Sequence, residues 1–332
     1  MKSLTREEFY KQLEKILSTS VSSRDNNFIE VGTKSTLFEN QNQTNEAFSE
    51  KWEKYEQTPE KERLYEMQKR WYLELYGFSS ETELSEFLKS KKVIFDAGCG
   101  LGYKAAWFAK LSPDSLVVAM DFSEAAQIAS DIYIDLPNLF FIKGDIANTD
   151  FINNSVDYVS CDQVIMHTEN PELTFSELAR ITSTSIGEFA CYFYAKKALP
   201  RELLDDYFRV HCKNMSNNDL WDLSKQLTEL GKRLSDINVK FQCPEIPALG
   251  IKAGEYDIQR FIYWNFMKCF WNEDLGEETS IATNFDWYSP SNAKRFSEHE
   301  VRAIVHSNQM TINHFHKEDA CYSGRFAKSQ EC

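Results

Sequence analysis

The run FDAGCGLG places three glycines at alternate positions behind an aspartate: Asp96, Gly98, Gly100 and Gly102. Glycine permits a positive φ and lets a ligand approach the backbone closely. The run follows a short β-branched and aromatic stretch, residues 93–97, and precedes a helical pattern whose first N–H groups would face a bound ligand. The residue types and their spacing predict a loop that binds a nucleotide-type ligand rather than a simple strand-to-helix turn.

The position of Asp96 narrows the class of ligand. A dinucleotide loop has the pattern G-x-G-x-x-G and places a pyrophosphate on the helix N-terminus. Here the third glycine comes one residue early, and the carboxylate of Asp96 would repel a pyrophosphate. A Walker A loop is excluded because no G-K-[ST] follows. An ammonium group, in contrast, would be attracted to this carboxylate.

Acidic residues also follow the next two predicted strands. Asp121 follows the run SLVVAM, where an acid can accept hydrogen bonds from both hydroxyls of a ribose. Asp145 follows the run LFFIKG, where a carboxylate can accept from the exocyclic amine of an adenine, with Phe122 and Ile146 beside the ring. Acids at three successive strand ends predict an adenosine that carries a cationic amino-acid tail.

These residues depend on an alternation of strands and helices between residues 93 and 195. Five short apolar runs separated by helical patterns predict a parallel sheet covered on both faces. The pattern then becomes mostly helical, and two strand-like runs end the chain. We therefore predict an α/β fold with a doubly wound, Rossmann-like, seven-stranded sheet. It carries an N-terminal helical extension and a helical insertion before the last two strands.

Composition limits the partners of the chain. The 332 residues contain 51 acidic and 37 basic side chains, which gives a formal net charge of −14. A surface this negative disfavours nucleic acid and anionic membranes as partners. The eight cysteines form no C-x-x-C pair, and the six histidines show no metal-binding spacing, so we expect reduced thiols and no bound metal. Without a signal peptide or a run long enough to span a membrane, the expected location is the cytoplasm.

At the loop and the three strand ends the sequence resembles the class I S-adenosylmethionine-dependent methyltransferases. The resemblance covers residues 93–195 and implies S-adenosylmethionine as cofactor and S-adenosylhomocysteine as product. By the family pattern, the loop meets the methionine end, Asp121 binds the ribose, and Asp145 with Ile146 binds the adenine. The cofactor-binding residues predicted in this way are Asp96, Ala97, Gly98, Cys99, Gly100, Gly102, Asp121, Phe122, Gly144, Asp145, Ile146, Asp162 and Gln163.

A narrower resemblance, to a type 11-like subgroup with a VLHHT-x-x-P segment, extends over residues 41–327. It is carried by DQVIMHTENPELTFSELARI after the fourth strand, by a Tyr-x-Lys-Lys run at 194–197 and by an R-E-x-x-D-D helix at 201–206. The runs AGEYDIQRFIYWNFMKCFWN and NFDWYSP match later parts of the same pattern. The chain departs from the subgroup at TSTSIGE, where a K-P-G-G turn is usual.

Methyl transfer needs a positioned acceptor, and an oxygen acceptor usually also needs a base. Asp162, Gln163 and His167 follow the fourth strand, on the side toward which the methyl group would point. The predicted catalytic residues are His167 and Asp162. His167 is the candidate base, and its alternative role is to cap the next helix or to bond a backbone carbonyl. Asp162 is expected to orient a histidine or to bind the acceptor.

The predicted acceptor-binding residues are polar or aromatic and lie at the strand ends and in the insertion. They are Gln163, His167, Tyr194, Arg209, Tyr256, Arg260, Trp264, Trp287 and Tyr288. Packing of the insertion is the alternative role of the aromatic residues. Arg201 and Arg209 are candidates for binding an acceptor carboxylate or phosphate, or for ion pairs with Asp205 and Asp206 at helical spacing.

These expectations divide the chain into four segments. They are an N-terminal helical extension or lid at 1–90, a cofactor-binding core at 91–198, a helical insertion that caps the acceptor side at 199–285, and a C-terminal helix with the final strands at 286–332. In the first segment Phe48, Trp52 and Tyr55 share one predicted helix face, as a core stripe or as a lid.

The function expected from the sequence is methyl transfer from S-adenosylmethionine to a small polar acceptor, such as a sugar or a biosynthetic intermediate. Oxygen is the preferred acceptor atom and nitrogen is the second choice. Two alternatives are an NAD(P)-linked oxidoreductase and a non-catalytic module that binds S-adenosylmethionine. Nucleic acid and membrane are not expected as partners, and the sequence leaves homo-oligomerisation open.

Overall fold

The computed structural model describes residues 4–31, 39–55 and 61–328, without the side chains of 52–55, 61 and 62. The helices among these residues are α1 (Arg6–Ile16), α2 (Glu39–Tyr55), α3 (Lys61–Leu75), α4 (Glu81–Lys89), α5 (Tyr103–Leu111), α6 (Ala125–Ile132), α7 (Pro171–Ile181), α8 (Leu199–Cys212), α9 (Asn217–Asp236), α10 (Ile258–Asn265), α11 (Glu277–Tyr288) and α12 (Glu298–Ser307). The strands are β1 (Val21–Asp25), β2 (Phe28–Val31), β3 (Val93–Ala97), β4 (Leu116–Asp121), β5 (Leu139–Lys143), β6 (Tyr158–Cys161), β7 (Glu188–Tyr194), β8 (Lys240–Cys243), β9 (Gly254–Asp257), β10 (Met310–Lys317) and β11 (Cys321–Lys328).

Nine strands form one sheet in the order β1-β2-β5-β4-β3-β6-β7-β11-β10. Strands β2 to β7 run parallel to one another, whereas β11 runs antiparallel to both β7 and β10. The strand order reverses between β3 and β6, and open α/β sheets bind ligands at the carboxyl ends of the strands at such a reversal. The predicted α/β, doubly wound fold is confirmed, with the helical insertion before the last two strands.

The central strands are apolar on both faces because helices cover both faces of the sheet. In β3 the side chain of Ile94 packs in one hydrophobic cluster with Val117 and Phe141, while Phe95 packs in the opposite cluster with Val118 and Phe140. This alternation is why the strands read as continuous apolar runs. It also means that the loops at their carboxyl ends are held by a sheet that is buried on both sides.

The N-terminal segment contains two strands that the prediction of a purely helical extension missed. Strand β1 pairs with β2 through a two-residue turn at Asn26 and Asn27, and β2 extends the sheet beside β5. Asn26 has a φ of 54°, the left-handed conformation that tight hairpins require. The core therefore keeps the predicted seven strands, and two more are added at one edge. Trp52 and Tyr55, which were assigned to a lid or core face, have side chains outside the described residues.

The chain folds into two compact units, each of which draws on separate stretches of the sequence. Unit 1 contains residues 1–38, 67–195 and 294–332, with the large sheet, and unit 2 contains residues 39–66 and 196–293. In unit 2 the long helix α9 packs against α11, where Trp221 stacks on Phe285 with ring centroids 4.0 Å apart. The four-segment division proposed from the sequence stays a prediction. None of the described helices has an apolar stretch long enough to cross a lipid bilayer.

Two details of unit 2 differ from the prediction of a mostly helical insertion. The strands β8 and β9 form a separate two-stranded sheet. The helix predicted across DIQRFIYWNFMKCFW ends at Asn265, and residues 267–272 continue without regular structure. Side chains replace the missing helical hydrogen bonds: Asn284 accepts from Phe270 N and donates to Phe270 O at 2.8 and 3.0 Å. The helical pattern of the sequence continues beyond α10 because half-buried aromatic residues follow it, Phe266, Phe270 and Trp271.

Candidate functional site

The glycine loop at the end of β3 has a backbone that other residues cannot adopt without strain. Gly98, Gly100 and Gly102 have φ values of 79°, 51° and 73°. A Cβ atom on Gly98 would lie 2.4 Å from the side chain of Val164. The N–H groups of Gly98 and Cys99 both donate to the carbonyl of Met120, at 2.8 and 3.0 Å. The loop is thus tied to β4 and lies close to Val164, which follows β6.

Helix α5 begins directly behind this loop. Gly102 is its N-terminal cap and supplies no side-chain acceptor. The first N–H bonded within the helix is that of Ala106, which donates to the carbonyl of Gly102 at 2.9 Å. The dipole of α5 favours a negative group at this end of the helix.

Asp121 ends β4 and links the loop to the next turn. Its Oδ2 accepts from Gly100 N at 2.8 Å, and its Oδ1 accepts from the backbone N and the hydroxyl of Ser123 at 2.9 and 2.6 Å. A carboxylate oxygen has two lone pairs, so Oδ2, which accepts one hydrogen bond, can accept a further one. The carboxylate is only partly buried. This position and capacity suit the predicted ribose contact.

The residues predicted to hold the adenine follow β5. Gly144 N donates to the carbonyl of Asp121 at 3.0 Å, so this turn lies beside the ribose acid. Asp145 is partly buried, and its Oδ1 accepts from Ala147 N at 2.8 Å. Ile146 is 6% exposed and Phe122 is half-buried, so both offer apolar surface. The fold brings these residues and Asp121 to one edge of the sheet, as the sequence predicted.

Two buried acids and a buried lysine lie at the reversal point of the sheet. Asp96 is fully buried at the end of β3, and Asp162 is 7% exposed just after β6. The ammonium of Lys104, in the first turn of α5, lies 3.5 Å from Asp96 Oδ1 and 3.3 Å from Asp162 Oδ2. Tyr76 of the loop after α3 donates its hydroxyl to Asp162 Oδ1 at 2.9 Å. Sequence reasoning missed Lys104 and Tyr76, because no spacing connects them to the two acids.

This cluster fits a cationic ligand. Neither carboxylate oxygen of Asp96 accepts a hydrogen bond from the part of the chain that the structure describes. Asp96, Asp162 and Lys104 together carry one net negative charge. S-adenosylmethionine carries an ammonium, a sulfonium and a carboxylate, and thus one net positive charge. A buried carboxylate without a hydrogen-bond donor is costly, so the ammonium of the methionine end is a suitable partner for Asp96.

Burial raises the pKa of Asp96 to about 6, although Lys104 opposes the rise and Asp162 adds to it. The carboxylate form that attracts the ammonium is therefore present above about pH 6 and is lost as the pH falls through that value. Burial alone would lower the pKa of Lys104, but Asp162 and Asp96 outweigh it and raise that pKa, so Lys104 stays protonated.

We expect cofactor affinity to depend on pH through Asp96. Affinity for S-adenosylhomocysteine should be constant above about pH 7 and fall by up to about tenfold per pH unit below about 6, because the protonated acid no longer attracts the ammonium. Isothermal titration calorimetry between about pH 5 and pH 8 measures this. Asp96→Asn should bind more weakly and lose the pH dependence. A wild-type affinity that stays constant across the range would contradict the assignment of Asp96.

The candidate acceptor side of unit 1 follows β6. Gln163 has a φ of 62°, a strained conformation for a residue other than glycine, and such strain is concentrated at functional sites. A short 3₁₀ helix, Ile165–His167, follows it. His167 is 7% exposed, and its ring meets that of Tyr194 edge-on, with centroids 5.5 Å apart. The fold thus brings Gln163, His167 and Tyr194 to the same strand ends as the cofactor residues.

The surroundings of His167 and Asp162 bear on their predicted roles. Helix α7 is capped by Asn170, whose side chain accepts from Leu173 N at 3.1 Å, so His167 does not cap it. The carboxylate of Asp162 accepts from Tyr76 and Lys104, and Gln163 Nε2 lies 3.5 Å from its Oδ2. These partners place Asp162 with Asp96, on the cofactor side. Its catalytic role stays a prediction, as does that of His167.

The other predicted acceptor residues lie in unit 2. Trp287 Nε1 and Tyr288 Oη both donate to the carboxylate of the fully buried Asp205, at 2.8 Å each. Arg209 Nη2 donates to the carbonyl of Trp287 at 2.7 Å. These contacts hold unit 2 together. Three further predicted residues have local contacts as well: the Tyr256 hydroxyl donates to Lys252 O, the Arg260 guanidinium lies over Tyr263, and Trp264 packs on Tyr263. Their contact with an acceptor stays a prediction.

The structure also brings together one group of possible metal ligands that the sequence spacing did not reveal. His316, Glu318 and Cys321 lie at the turn of the β10–β11 hairpin, with their ligand atoms within 4.8 Å of one another. The Cys321 thiol donates to Glu318 Oε1 at 3.4 Å, and His316 Nε2 lies 3.5 Å from Glu318 Oε2. These mutual contacts account for the arrangement. The pattern H-x-E-x-x-C is the signal that would have found it.

Known proteins that are similar in sequence to this chain are methyltransferases. Residues 95–185 match the methyltransferase domain family. An uncharacterized methyltransferase of Schizosaccharomyces pombe is 26% identical over 119 residues, which cover 33% of this chain and only 42% of that protein.

Solved structures of methyltransferases are similar at low identity. Magnesium protoporphyrin IX methyltransferase from Synechocystis with bound S-adenosylmethionine has 13% identity and a TM-score of 0.44, covering 89% of this chain and 100% of that chain. An S-adenosylmethionine-dependent methyltransferase from Aquifex aeolicus has 15% identity and a TM-score of 0.40, covering 76% of this chain and 90% of that chain. These TM-scores are low, so the assignment does not rest on them. The narrower subgroup resemblance stays a prediction. Residues 95–185 are thus similar to a methyltransferase domain, and the glycine loop and the acids at the strand ends, which lie in this segment, suit S-adenosylmethionine as its cofactor.

Proposed function

We propose that the chain transfers the methyl group of S-adenosylmethionine to an oxygen of a small polar molecule, such as a sugar or a biosynthetic intermediate, with nitrogen as the second choice. The observation that supports an oxygen acceptor is the buried His167, held beside Tyr194 at the strand ends where the cofactor residues also lie. A hydroxyl is a weak nucleophile at neutral pH, and a nearby base removes its proton as the new bond forms.

The chain's own residues divide the work. Asp96, with Lys104 and Asp162, holds the methionine end, and Asp121 and Asp145 hold the ribose and the adenine. The bound cofactor supplies an electrophilic methyl group on a sulfonium. Gln163 and Tyr194 position the acceptor, and His167 Nδ1 or Nε2 takes the proton of the hydroxyl.

The net charge of −14 supports a small molecule rather than nucleic acid as the acceptor. A screen with S-adenosylmethionine labelled in its methyl group, against fractions of a metabolite extract, tests the proposal. Label in a small molecule, on oxygen, is the expected result. Label in RNA or protein would contradict the acceptor class. If no acceptor is methylated but S-adenosylhomocysteine binds, the result would favour a non-catalytic module. Binding of NADH in place of S-adenosylhomocysteine would favour an oxidoreductase. We further propose that the protein acts in the cytoplasm, and self-association is an open part of the same proposal.

We expect Asp121→Ala to weaken the binding of S-adenosylhomocysteine by roughly 10- to 100-fold, because hydrogen bonds to a charged group contribute about 1.5–3 kcal/mol. Calorimetric titration measures the loss, and circular dichroism checks that the fold is kept. Asp114→Ala is the matched control, since Asp114 is exposed after α5, and it should bind like wild type. Equal affinities of the two variants for S-adenosylhomocysteine would contradict the assignment of Asp121 to the cofactor site.

A further inference from the structure

A buried lysine in unit 2 lacks a counter-ion. Lys268 follows α10 and is 7% exposed, yet its ammonium forms no hydrogen bond or ion pair with any residue that the structure describes. It lies 4.5 Å from the centroid of the Trp287 ring. A cation–π contact of this kind offsets only part of the cost of burying an ammonium. A negatively charged group beside the Lys268 ammonium would therefore be favourable.

The backbone around Lys268 is fixed by side chains. Lys268 N donates to the hydroxyl of Tyr288 at 3.0 Å, and Gln259 Nε2 donates to the carbonyl of Cys269 at 2.8 Å. On the other side, Phe270 N donates to Asn284 Oδ1 at 2.8 Å. These three contacts hold the backbone of three consecutive residues and so fix the point from which the Lys268 side chain extends.

The neighbouring acids are already neutralised. Asp205 accepts from Arg201 Nε at 2.7 Å as well as from Trp287 and Tyr288. Asp286 lies 2.6 Å from Lys51 Nζ in its own ion pair. Neither acid lies within ion-pair distance of Lys268, although Asp286 Oδ1 is buried without a hydrogen-bond donor.

A second cation lies against the same tryptophan. The guanidinium carbon of Arg201, which is 1% exposed, lies 5.1 Å from the centroid of the Trp287 ring. Arg201 donates from Nε to Asp205 and from Nη1 to the carbonyl of Tyr263, whereas its Nη2 donates to none of the described residues. A guanidinium has five N–H donors, so this one retains donors for a further acceptor.

Burial is the main cause that lowers the pKa of Lys268 to about 7; Arg201 and Lys197 contribute to the decrease, while Asp286 and Asp205 oppose it. The ammonium form is therefore lost as the pH rises through about 7 in the empty site. A bound anion would reverse this, because it stabilises the protonated lysine.

We propose that Lys268 and Arg201 form a binding site for the oxyanion of a small molecule, a carboxylate or a phosphate, within unit 2. The anion accepts from Lys268 Nζ and from Arg201 Nη2 and supplies the missing negative charge. Lysine and arginine side chains in water-poor surroundings are the groups that proteins use for such anions. The site does not depend on methyl transfer or on the identity of the methyl acceptor.

Calorimetric titration of the whole chain with sodium sulfate and with sodium acetate, at constant ionic strength, tests the site. Sulfate stands in for phosphate and keeps its charge throughout the neutral range, so any pH dependence belongs to the protein. We expect binding of at least one of the two anions, with affinity falling up to about tenfold per pH unit above about 7. Binding of sulfate alone indicates a phosphate ligand, and binding of acetate alone indicates a carboxylate. Binding of neither overturns the proposal.

Lys268→Met removes the charge and keeps an apolar side chain on the ring, and it should weaken anion binding at least tenfold. Lys232→Met is the matched control, because Lys232 also lies over a tryptophan, 5.2 Å from the Trp271 centroid, but is only partly buried. The control should bind like wild type, and equal loss in both variants would contradict the site. Should Lys268→Met not fold, titration of wild type at about pH 8 in two buffers of different ionisation enthalpy decides, since binding should take up close to one proton. Binding without proton uptake would exclude Lys268.

Discussion

Replacing His167 by alanine is expected to slow methyl transfer by about 100-fold or more, because a positioned general base contributes roughly 10²–10⁴ in rate. The effect should fall on kcat, with the affinity for S-adenosylhomocysteine unchanged, since the cofactor contacts are proposed for Asp96, Asp121 and Asp145. The measurement is turnover with the acceptor found by the labelled-methyl screen, together with calorimetric titration of the product.

A second variant distinguishes proton transfer from packing. His167→Gln keeps a polar side chain of similar size beside Tyr194 but cannot act as a base near neutral pH, so it should be as slow as His167→Ala. Full activity of His167→Gln with loss in His167→Ala would assign His167 to positioning the acceptor instead. Near-normal rates in both variants would leave it with a purely structural role.

Replacing Asp205 by alanine is expected to lower the free energy of unfolding of unit 2 by about 3–5 kcal/mol, the usual result of removing one partner of a buried ion pair. The fully buried carboxylate accepts from Arg201, Trp287 and Tyr288, and its loss would leave the Arg201 guanidinium without a counter-ion and the other two donors without acceptors. Urea denaturation followed by tryptophan fluorescence measures the change.

The next residue in the chain provides the control. Asp206 has a side chain that is 69% exposed and lies 3.7 Å from Arg209, so Asp206→Ala should change the free energy of unfolding by no more than about 0.5 kcal/mol. Similar losses for the two substitutions would show that Asp205 does not hold α8 and α11 together. The comparison also tests whether the charged residues of the R-E-x-x-D-D run stabilise the fold rather than bind an acceptor.

The sequence predicted well those parts of the site whose residues follow a strand directly. Asp96, Asp121 and Asp145 each come after an apolar run, and parallel strands place their carboxyl ends at one edge of the sheet. Lys104 and Tyr76 could not be found in this way, because their contact with Asp162 joins residues 58 and 86 positions apart. Nothing local in their segments indicates a partner, and burial of the charge becomes visible only in the folded chain.

The same reasoning explains the roles that the sequence left undecided in unit 2. The spacing of Arg201 and Asp205 suits an exposed helical ion pair, yet both are buried because Trp287, 82 positions beyond Asp205, packs against them. The sequence failed to predict strand β1 for the opposite reason, exposure instead of burial. Its residues are mostly exposed, so it lacks the alternation of apolar and polar residues that identifies half-buried strands. The Asn26–Asn27 pair was the usable signal, since such pairs are typical of two-residue hairpin turns.

Because β2 pairs with β5, the strand that precedes the proposed adenine site does not lie at the edge of the sheet. In β5, Phe141 and Ile142 have the backbone partners Phe28 and Ile29 on one side and Ala119 and Met120 of β4 on the other. The strand that carries Asp145 at its end is therefore interior to the sheet rather than a fraying border. The β1–β2 hairpin forms the outer edge of the sheet, so we expect opening of that edge to spare β5, the strand that precedes the proposed adenine site.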